Sequence, residues 1–404
     1  MNSPAAGPLQ DVTVIELAHI MAGPVCGRML ADMGADVIKV ERVPEGDAAR
    51  GFVPPVIDGE SAAFMMLNRN KRGIAVNLKT EDGHTIVQRL LEDADIVIEN
   101  YRKGTMKRLG LGYEKLRAQN PGLIYCEISG FGRTGPYADL GGFDLVAQGY
   151  SGLMSITGEG ADQPPVKCGP PVTDITAGLL AAMGVLAAYV ERLKTGQGQR
   201  VDTSLFEAGI TQTFWQSAIA LATGISPEPM GSAHPLNAPY EAFETADGWV
   251  TIGASSEATW TRLPPVLGLP ELLEDPRFSR NKDRMHNRAI LNATIAPAFK
   301  KKQTREWLDL LKNAGVPAGP VLSIGEMLEH PQTLARDMVT ETNHSELGVI
   351  KTIGFPVKFS ATPASIERGA PRLGEHTTEI LDELGYEETK IKRFIQEGVV
   401  LAIA

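Results

Sequence analysis

VTVIELAHIMAGPVCGRMLADMGADVIKVE, residues 12–41, reads as strand, loop, helix and strand. Residues 12–17 form a short apolar run rich in Val, Ile and Thr, the composition of a strand buried on both faces. From Pro24 onward small and apolar residues recur at helical spacing, and DVIKVE (36–41) repeats the strand pattern. Two such strands joined by a helix make a parallel pair, because a parallel connection needs a long crossover.

The alternation continues outward. IAVNL (74–78) reads as a third strand, and Thr80 as the N-cap of a helix over EDGHTIVQRLLEDA (81–94). DIVIEN (95–100), a helix through Lys107 to Gln119, and LIYCEIS (123–129) follow, with RVDTSLFEA (200–208) reading as a strand that turns into a helix. This pattern predicts an α/β fold whose large domain is a Rossmann-like parallel sheet with helices on both faces. Ligands of such sheets bind beyond the carboxyl ends of the strands. Those ends carry AHIMAGP (18–24), Glu41-Arg42, Asn100-Tyr101-Arg102 and SGFGRTGP (129–136).

Residues 224–240 are rich in Gly, Pro, Ser and Asn, a linker composition. YEAFET (240–245) and WVTIGA (249–254) flank Ala246-Asp247-Gly248 and predict a β-hairpin, with helical patterns at 258–274 and 285–314. The expected organisation is a large α/β domain beginning at 1–222, a smaller α+β domain over 223–335, and a segment 336–404 that returns to the large domain.

The 404 residues carry a formal net charge of −10, against a general nucleic-acid binder. Cys26, Cys126 and Cys168 are an odd, widely spaced set, so neither a disulfide framework nor a metal site is expected. The start lacks the pattern of a signal peptide, and the long apolar run near 175–190 contains Gly and leads into ERLKTGQGQR, so no membrane segment is read. A cytoplasmic protein is the expectation.

QPPVKCGPPVTDITAGLLAAMGVLAAYV (163–190) sets Asp174 at the mouth of a nearly uncharged helix. With no polar face, that helix is expected to be covered on all sides. Asp174 suits an N-cap, which alone accounts for an Asp there, and it also suits a covalent nucleophile. Gly23-Pro24-Val25-Cys26-Gly27 lacks the three glycines of a dinucleotide fingerprint, and Pro24 removes an N–H from any phosphate cradle. Basic residues gather over 42–108. Most suit solvated surface, whereas Arg42, Lys79, Arg102 and Arg108 stand near strand ends where they can grip a phosphorylated ligand. His19 suits a structural role, and Cys168 lacks a nearby basic activator. Ser129-Gly130-Phe131-Gly132 suits a loop whose backbone N–H groups line a pocket, without the elbow of a serine hydrolase.

Several blocks, taken in order, resemble the family III CoA-transferases, the formyl-CoA transferase and carnitine CoA-transferase group. They are residues 18–50, NRNKRGIAVNLK (68–79), ADIVIENYRKGTMKRLGLGYEKL (94–116), ISGFGRTGPY (128–137), PPVTDITAGLLAAMGVLAA (170–188), TGQGQRVDTSLFEA (195–208), HPLNAPYEAFETADGW (234–249), NAGVPAGPV (313–321) and GEHTTEIL (374–381). The resemblance implies that Asp174 attacks an acyl-CoA thioester and forms an aspartyl anhydride, with the helix amino end keeping the carboxylate charged. It implies CoA contacts at Met21, Ala22, Arg42, Val76, Leu78, Lys79, Asn100, Tyr101, Arg108, Gly130 and Phe131. It also implies an interlocked homodimer, acyl-CoA and a small carboxylic acid as substrates, and no tightly bound cofactor.

The chain departs from the formyl-CoA transferase pattern at Met21 in place of Gln and at Ser129 in place of Lys. It also lacks a glycine run near Gly231. Formate and oxalate are therefore not the expected acids. Succinyl-CoA and a small dicarboxylate are. The related α-methylacyl-CoA racemases carry His within a Gly-His-Asp block, which here reads Gly142-Phe143-Asp144, and Phe cannot shuttle a proton. The remaining alternative is a catalytically silent CoA-binding protein of the same fold.

Overall fold

The computed structural model describes residues 7–403. The chain forms two compact units. The first runs through Gly152, resumes over Cys168–Gln212 and again from Pro331; the second comprises Leu153–Lys167 and Thr213–His330. Composition places the break at the polar linker near residue 223, but the helix Phe214–Thr223 ahead of that linker already clusters with the second unit.

Within the first unit β1 (Thr13–Leu17) leads through α1 (Ala22–Asp32) to β2 (Asp36–Arg42) and β3 (Lys71–Val76). Then come α2 (Glu81–Glu92), β4 (Ile96–Glu99), β5 (Ile124–Ser129), α3 (Asp144–Tyr150), α4 (Val172–Thr195), β6 (Arg200–Ser204) and α5 (Leu205–Thr211). The six strands are parallel in the order 3-2-1-4-5-6, and β7 (Val400–Leu401) adds antiparallel to the outer edge of β3. The order reverses between β1 and β4, the switch point where a doubly wound sheet opens a crevice.

Side chains alternate across this sheet. Val14, Ile98 and Cys126 join Cys26, Leu30 and Val185 on one face. Ile15, Val40 and Ile74 join Ile86, Leu90 and Phe394 on the other. Each such fully buried aliphatic side chain contributes about 1.5–3 kcal/mol. Local chemistry sets the element ends: Thr80 accepts the Gly83 N–H to open α2, and Ser204 accepts the Glu207 N–H to open α5.

Two expected elements shift. The third strand spans Lys71–Val76 rather than 74–78, because Lys71 and Arg72 are taken into the sheet while Asn77 turns away to donate its N–H to Val399 O. The single helix expected up to Gln119 is two short helices, Thr105–Arg108 and Tyr113–Gln119. Gly110 between them takes φ +66°, a conformation that ends a helix at little cost for glycine alone.

Helix α4 is not covered on all sides. Ala177, Gly178, Ala181, Ala182, Val185 and Ala188 make a small-residue face packed on α1, β5 and β6. Leu179, Met183, Val190 and Leu193 form an exposed stripe on the opposite face, with Met183 62% and Leu193 70% exposed. By length and composition alone this helix could cross a membrane, but its buried face is fitted to the sheet of this unit.

In the second unit Tyr240–Glu244 and Trp249–Gly253 form the expected hairpin, which Ala318–Pro320 extends to three strands. Phe243, Trp260, Phe278, Phe299 and Trp307 fill its core beneath the helices Arg288–Phe299 and Thr304–Ala314.

Candidate active site

The loops leaving β1 and β4 are locked together at the switch point. His19 N donates to Asn100 Oδ1 at 3.0 Å, and Asn100 Nδ2 donates to His19 O at 2.8 Å. The His19 ring meets Tyr101 edge-on at 5.5 Å, and burial holds its pKa below the usual imidazole range. Beside this lock lies a cavity of about 350 Å³ lined by His19, Asn100, Tyr101, Arg108, Gly130 and Phe143, with Arg102 and Lys103 also on its wall. Two glycines shape it: a Cβ on Gly130 would stand 2.7 Å from Gly142 Cα, so neither chain could pass the other with a side chain.

The cavity wall runs directly into the head of α4. Phe143 leads to Asp144, whose Oδ1 accepts the Thr173 N–H at 2.9 Å and the Thr173 hydroxyl at 2.7 Å. Asp144 Oδ2 also accepts from Gln148 Nε2 at 2.7 Å. Asp144 therefore satisfies an N–H of the first turn, and Asp174, third residue of α4, is not the cap. Among the described residues the Asp174 carboxylate accepts no hydrogen bond and pairs with no cation. Burial, and then the negative charge of Asp144, push its pKa up to about 7. The helix amino end favours the charged form, yet burial outweighs it. The carboxyl group is therefore far more basic than an ordinary Asp side chain rather than held fully charged.

One turn along α4 from Asp174, on the same face, Gly178 lets α1 approach: a Cβ there would stand 2.6 Å from Ala22 O and 2.7 Å from Val25 Cβ. The Met21-Ala22 segment thus lies alongside the first turns of α4.

The expected contact residues are not all in one place. Asn100, Tyr101, Arg108 and Gly130 line the cavity, and Met21 and Ala22 flank α4. Phe131 packs edge-on against Tyr137 at 5.7 Å and Tyr150 at 5.2 Å. Arg42 ends β2 and Leu78 and Lys79 follow β3, all outside the cavity lining; Arg42 is exposed and reaches Glu45 at 3.6 Å. Val76 is wholly enclosed between β2 and β7 and offers a ligand no surface.

Sequence reasoning missed Asp144 and misplaced several basic residues. Arg50, Arg69, Lys71 and Arg72 are paired inward, with Glu41, Asp32, Glu16 and Asp36 at 2.6–2.8 Å. The readable signal was charge inside otherwise apolar strands: Glu16 and Lys39 are register partners on β1 and β2. Cys168 is half-buried, and its N–H donates to Gln148 Oε1 at 2.9 Å.

The description of CoA-transferase family III matches residues 9–377. The chain belongs to the family III CoA-transferases. A succinate–glutarate CoA-transferase of Agrobacterium fabrum is 41% identical over 383 residues, 93% of this chain and 96% of that protein. An acetyl-CoA:oxalate CoA-transferase of Acetobacter aceti is 38% identical over 388 residues, 95% of this chain and 97% of that protein. A crystal structure of a CAIB/BAIF family protein from Brucella suis superposes with a TM-score of 0.83 at 40% identity, covering 94% of this chain and 100% of that one.

Proposed function

We propose that this enzyme moves CoA from succinyl-CoA, or a closely similar acyl-CoA, to a small dicarboxylic acid, with Asp174 as the covalent nucleophile. One observation carries the reading. A carboxylate without hydrogen-bond or cationic partners, its pKa raised to about 7, heads a half-buried helix that Asp144 ties to the wall of the switch-point cavity. A carboxylate so raised is more basic, hence a stronger nucleophile, than an ordinary Asp.

Asp174 attacks the thioester carbonyl carbon, the C–S bond breaks, and CoA leaves as the thiolate. The product is a mixed anhydride of Asp174 and the donor acyl group. The acceptor carboxylate then displaces the donor acid at the aspartyl carbonyl. The thiolate attacks the acceptor acyl carbon of the new anhydride, and the Asp174 carboxylate is released. No net proton is consumed. Arg102, Lys103 and Arg108 on the cavity wall suit the phosphates of CoA, with Arg42 and Lys79 as a second basic set further along the rim.

The names of the relatives support the acid class: glutarate and oxalate are both dicarboxylates. The second of these makes oxalate a required member of any acid panel, although Met21 and Ser129 depart from the formyl-CoA transferase pattern. The exposed stripe on α4 supports a working homodimer, since a second copy would cover Leu179, Met183 and Val190; its interlocked form is what the family resemblance suggests.

The test is a panel of free mono- and dicarboxylic acids assayed with succinyl-CoA, for wild type and Asp174→Asn. Transfer to dicarboxylates by wild type, and loss of transfer in a folded Asn variant, is the expected result. Transfer to monocarboxylates alone contradicts the acid class, and retained turnover in the variant contradicts the nucleophile.

A further inference from the structure

Between β1 and α1 the backbone passes through Ile20 at φ +66°. A β-branched residue avoids that left-handed region, and such strain persists only where the surroundings over-determine it. The surroundings here are buried ions. Ile20 N donates to Asp47 Oδ1 at 2.9 Å, the oxygen that also accepts the Ala49 N–H. The other Asp47 oxygen lies 2.8 Å from Lys39 Nζ, and Lys39 Nζ donates to Ala18 O at 2.9 Å and to Glu16 Oε1 at 3.0 Å. Glu16 lies 2.8 Å from Lys71 Nζ, which donates to Pro24 O at 3.0 Å. Glu16, Lys39 and Lys71 are fully buried and Asp47 nearly so.

A buried ionic chain of this kind is a poor source of net stability, because desolvation offsets most of the attraction. Its clearer effect is geometric. It grips the loop after β1 at Ala18 O and Ile20 N and the first turn of α1 at Pro24 O, while Asn100 grips His19. Gly27 leaves room for it: a Cβ there would stand 1.9 Å from Glu16 Oε2.

We infer that Asp47, anchored by Lys39, is a positioning residue that holds Ile20 in its left-handed conformation and so sets the Met21-Ala22 peptide against the first turns of α4 beside Asp174. The inference rests on the proposed acyl transfer at Asp174, where a small displacement of the neighbouring backbone costs rate. Asp47 touches no reacting atom in this account. It acts through Ile20.

The test pairs Asp47→Asn with Ile20→Gly, because glycine adopts φ +66° without strain. Asp47→Asn is expected to lower kcat about ten- to a hundred-fold, with a much smaller change in KM for succinyl-CoA. Adding Ile20→Gly is expected to restore about tenfold of that loss, a rescue that a purely structural Asp47 would not show. Hydrogen exchange at the Ile20 amide, expected to quicken in Asp47→Asn, reads the positioning without any turnover. Should Asp47→Asn alone fail to fold, the double variant is expected to fold. An unchanged kcat and exchange rate in Asp47→Asn, or a double variant no better than the single one, overturns the inference. Failure of wild type to transfer CoA would instead strike the functional reading, leaving the exchange experiment to judge the loop.

Discussion

Asp144 and Asp174 share the head of one helix: Asp144 accepts the Thr173 N–H at 2.9 Å while its charge raises the pKa of Asp174 next along the chain. One acid caps so that the other is left uncapped. The nucleophile proposed here owes its basicity first to burial and second to that neighbour.

The pH dependence of the free enzyme follows. An attacking carboxylate must be deprotonated, so kcat/KM is expected to fall as pH drops through about 7, where burial and Asp144 place the Asp174 pKa. Asp144→Asn keeps an oxygen for Thr173 but removes the charge. Its acid limb is expected to move to lower pH, raising the rate at pH 6 relative to its own plateau. A limb that does not move removes Asp144 from the account.

Stability has the opposite sense to activity. A carboxyl group whose pKa is raised on folding contributes stability that is complete below the unfolded-state pKa, about 4, and lost as pH rises through about 7. Asp174→Asn removes that titration. The Asn variant is expected to be more stable than wild type above pH 7 by roughly 1–4 kcal/mol, with the two converging below pH 4, as denaturant melts at several pH values would read.

Gly178→Ala inverts the usual rule for helices. Replacing a helical Gly by Ala ordinarily gains about 0.5–1 kcal/mol. Here the new Cβ would stand 2.6 Å from Ala22 O, an overpacking that costs about 1–3 kcal/mol. A lower Tm and slower acyl transfer are expected together, because α1 carries the Met21-Ala22 segment.

The outer stripe of α4 makes a prediction about assembly. Light scattering is expected to find wild type dimeric, and Met183→Asp to weaken the dimer at least about tenfold by burying a charge among apolar side chains. A monomeric wild type, or a Met183→Asp protein with unchanged dimer and Tm, would show that another partner covers the stripe or none does.

Much of the parallel sheet is legible because β1, β2, β4 and β5 are short runs built mainly on β-branched and other apolar residues, broken by single charges such as Glu16 and Lys39. The start of β3 is not, since Lys71 and Arg72 look like surface until their partners Glu16 and Asp36 are seen. Those partners lie on β1 and β2, and no local pattern records which strands will be neighbours. Asp174 is legible as a special residue, but its third-position placement is not: Asp144, which relieves it of capping, lies 29 residues before Thr173 and meets the head of α4 only in the folded chain. The exposed side of α4 escapes for a related reason. Its apolar composition predicts burial, and a single chain buries only the small-residue half.

The most direct test of Asp174 as nucleophile is trapping. Wild type incubated with succinyl-CoA and hydroxylamine, digested and read by peptide mass spectrometry, is expected to carry a hydroxamate on Asp174 and to lose transfer activity in step with labelling. An enzyme that turns over yet stays unlabelled at Asp174, or carries the label on another carboxylate, contradicts the account.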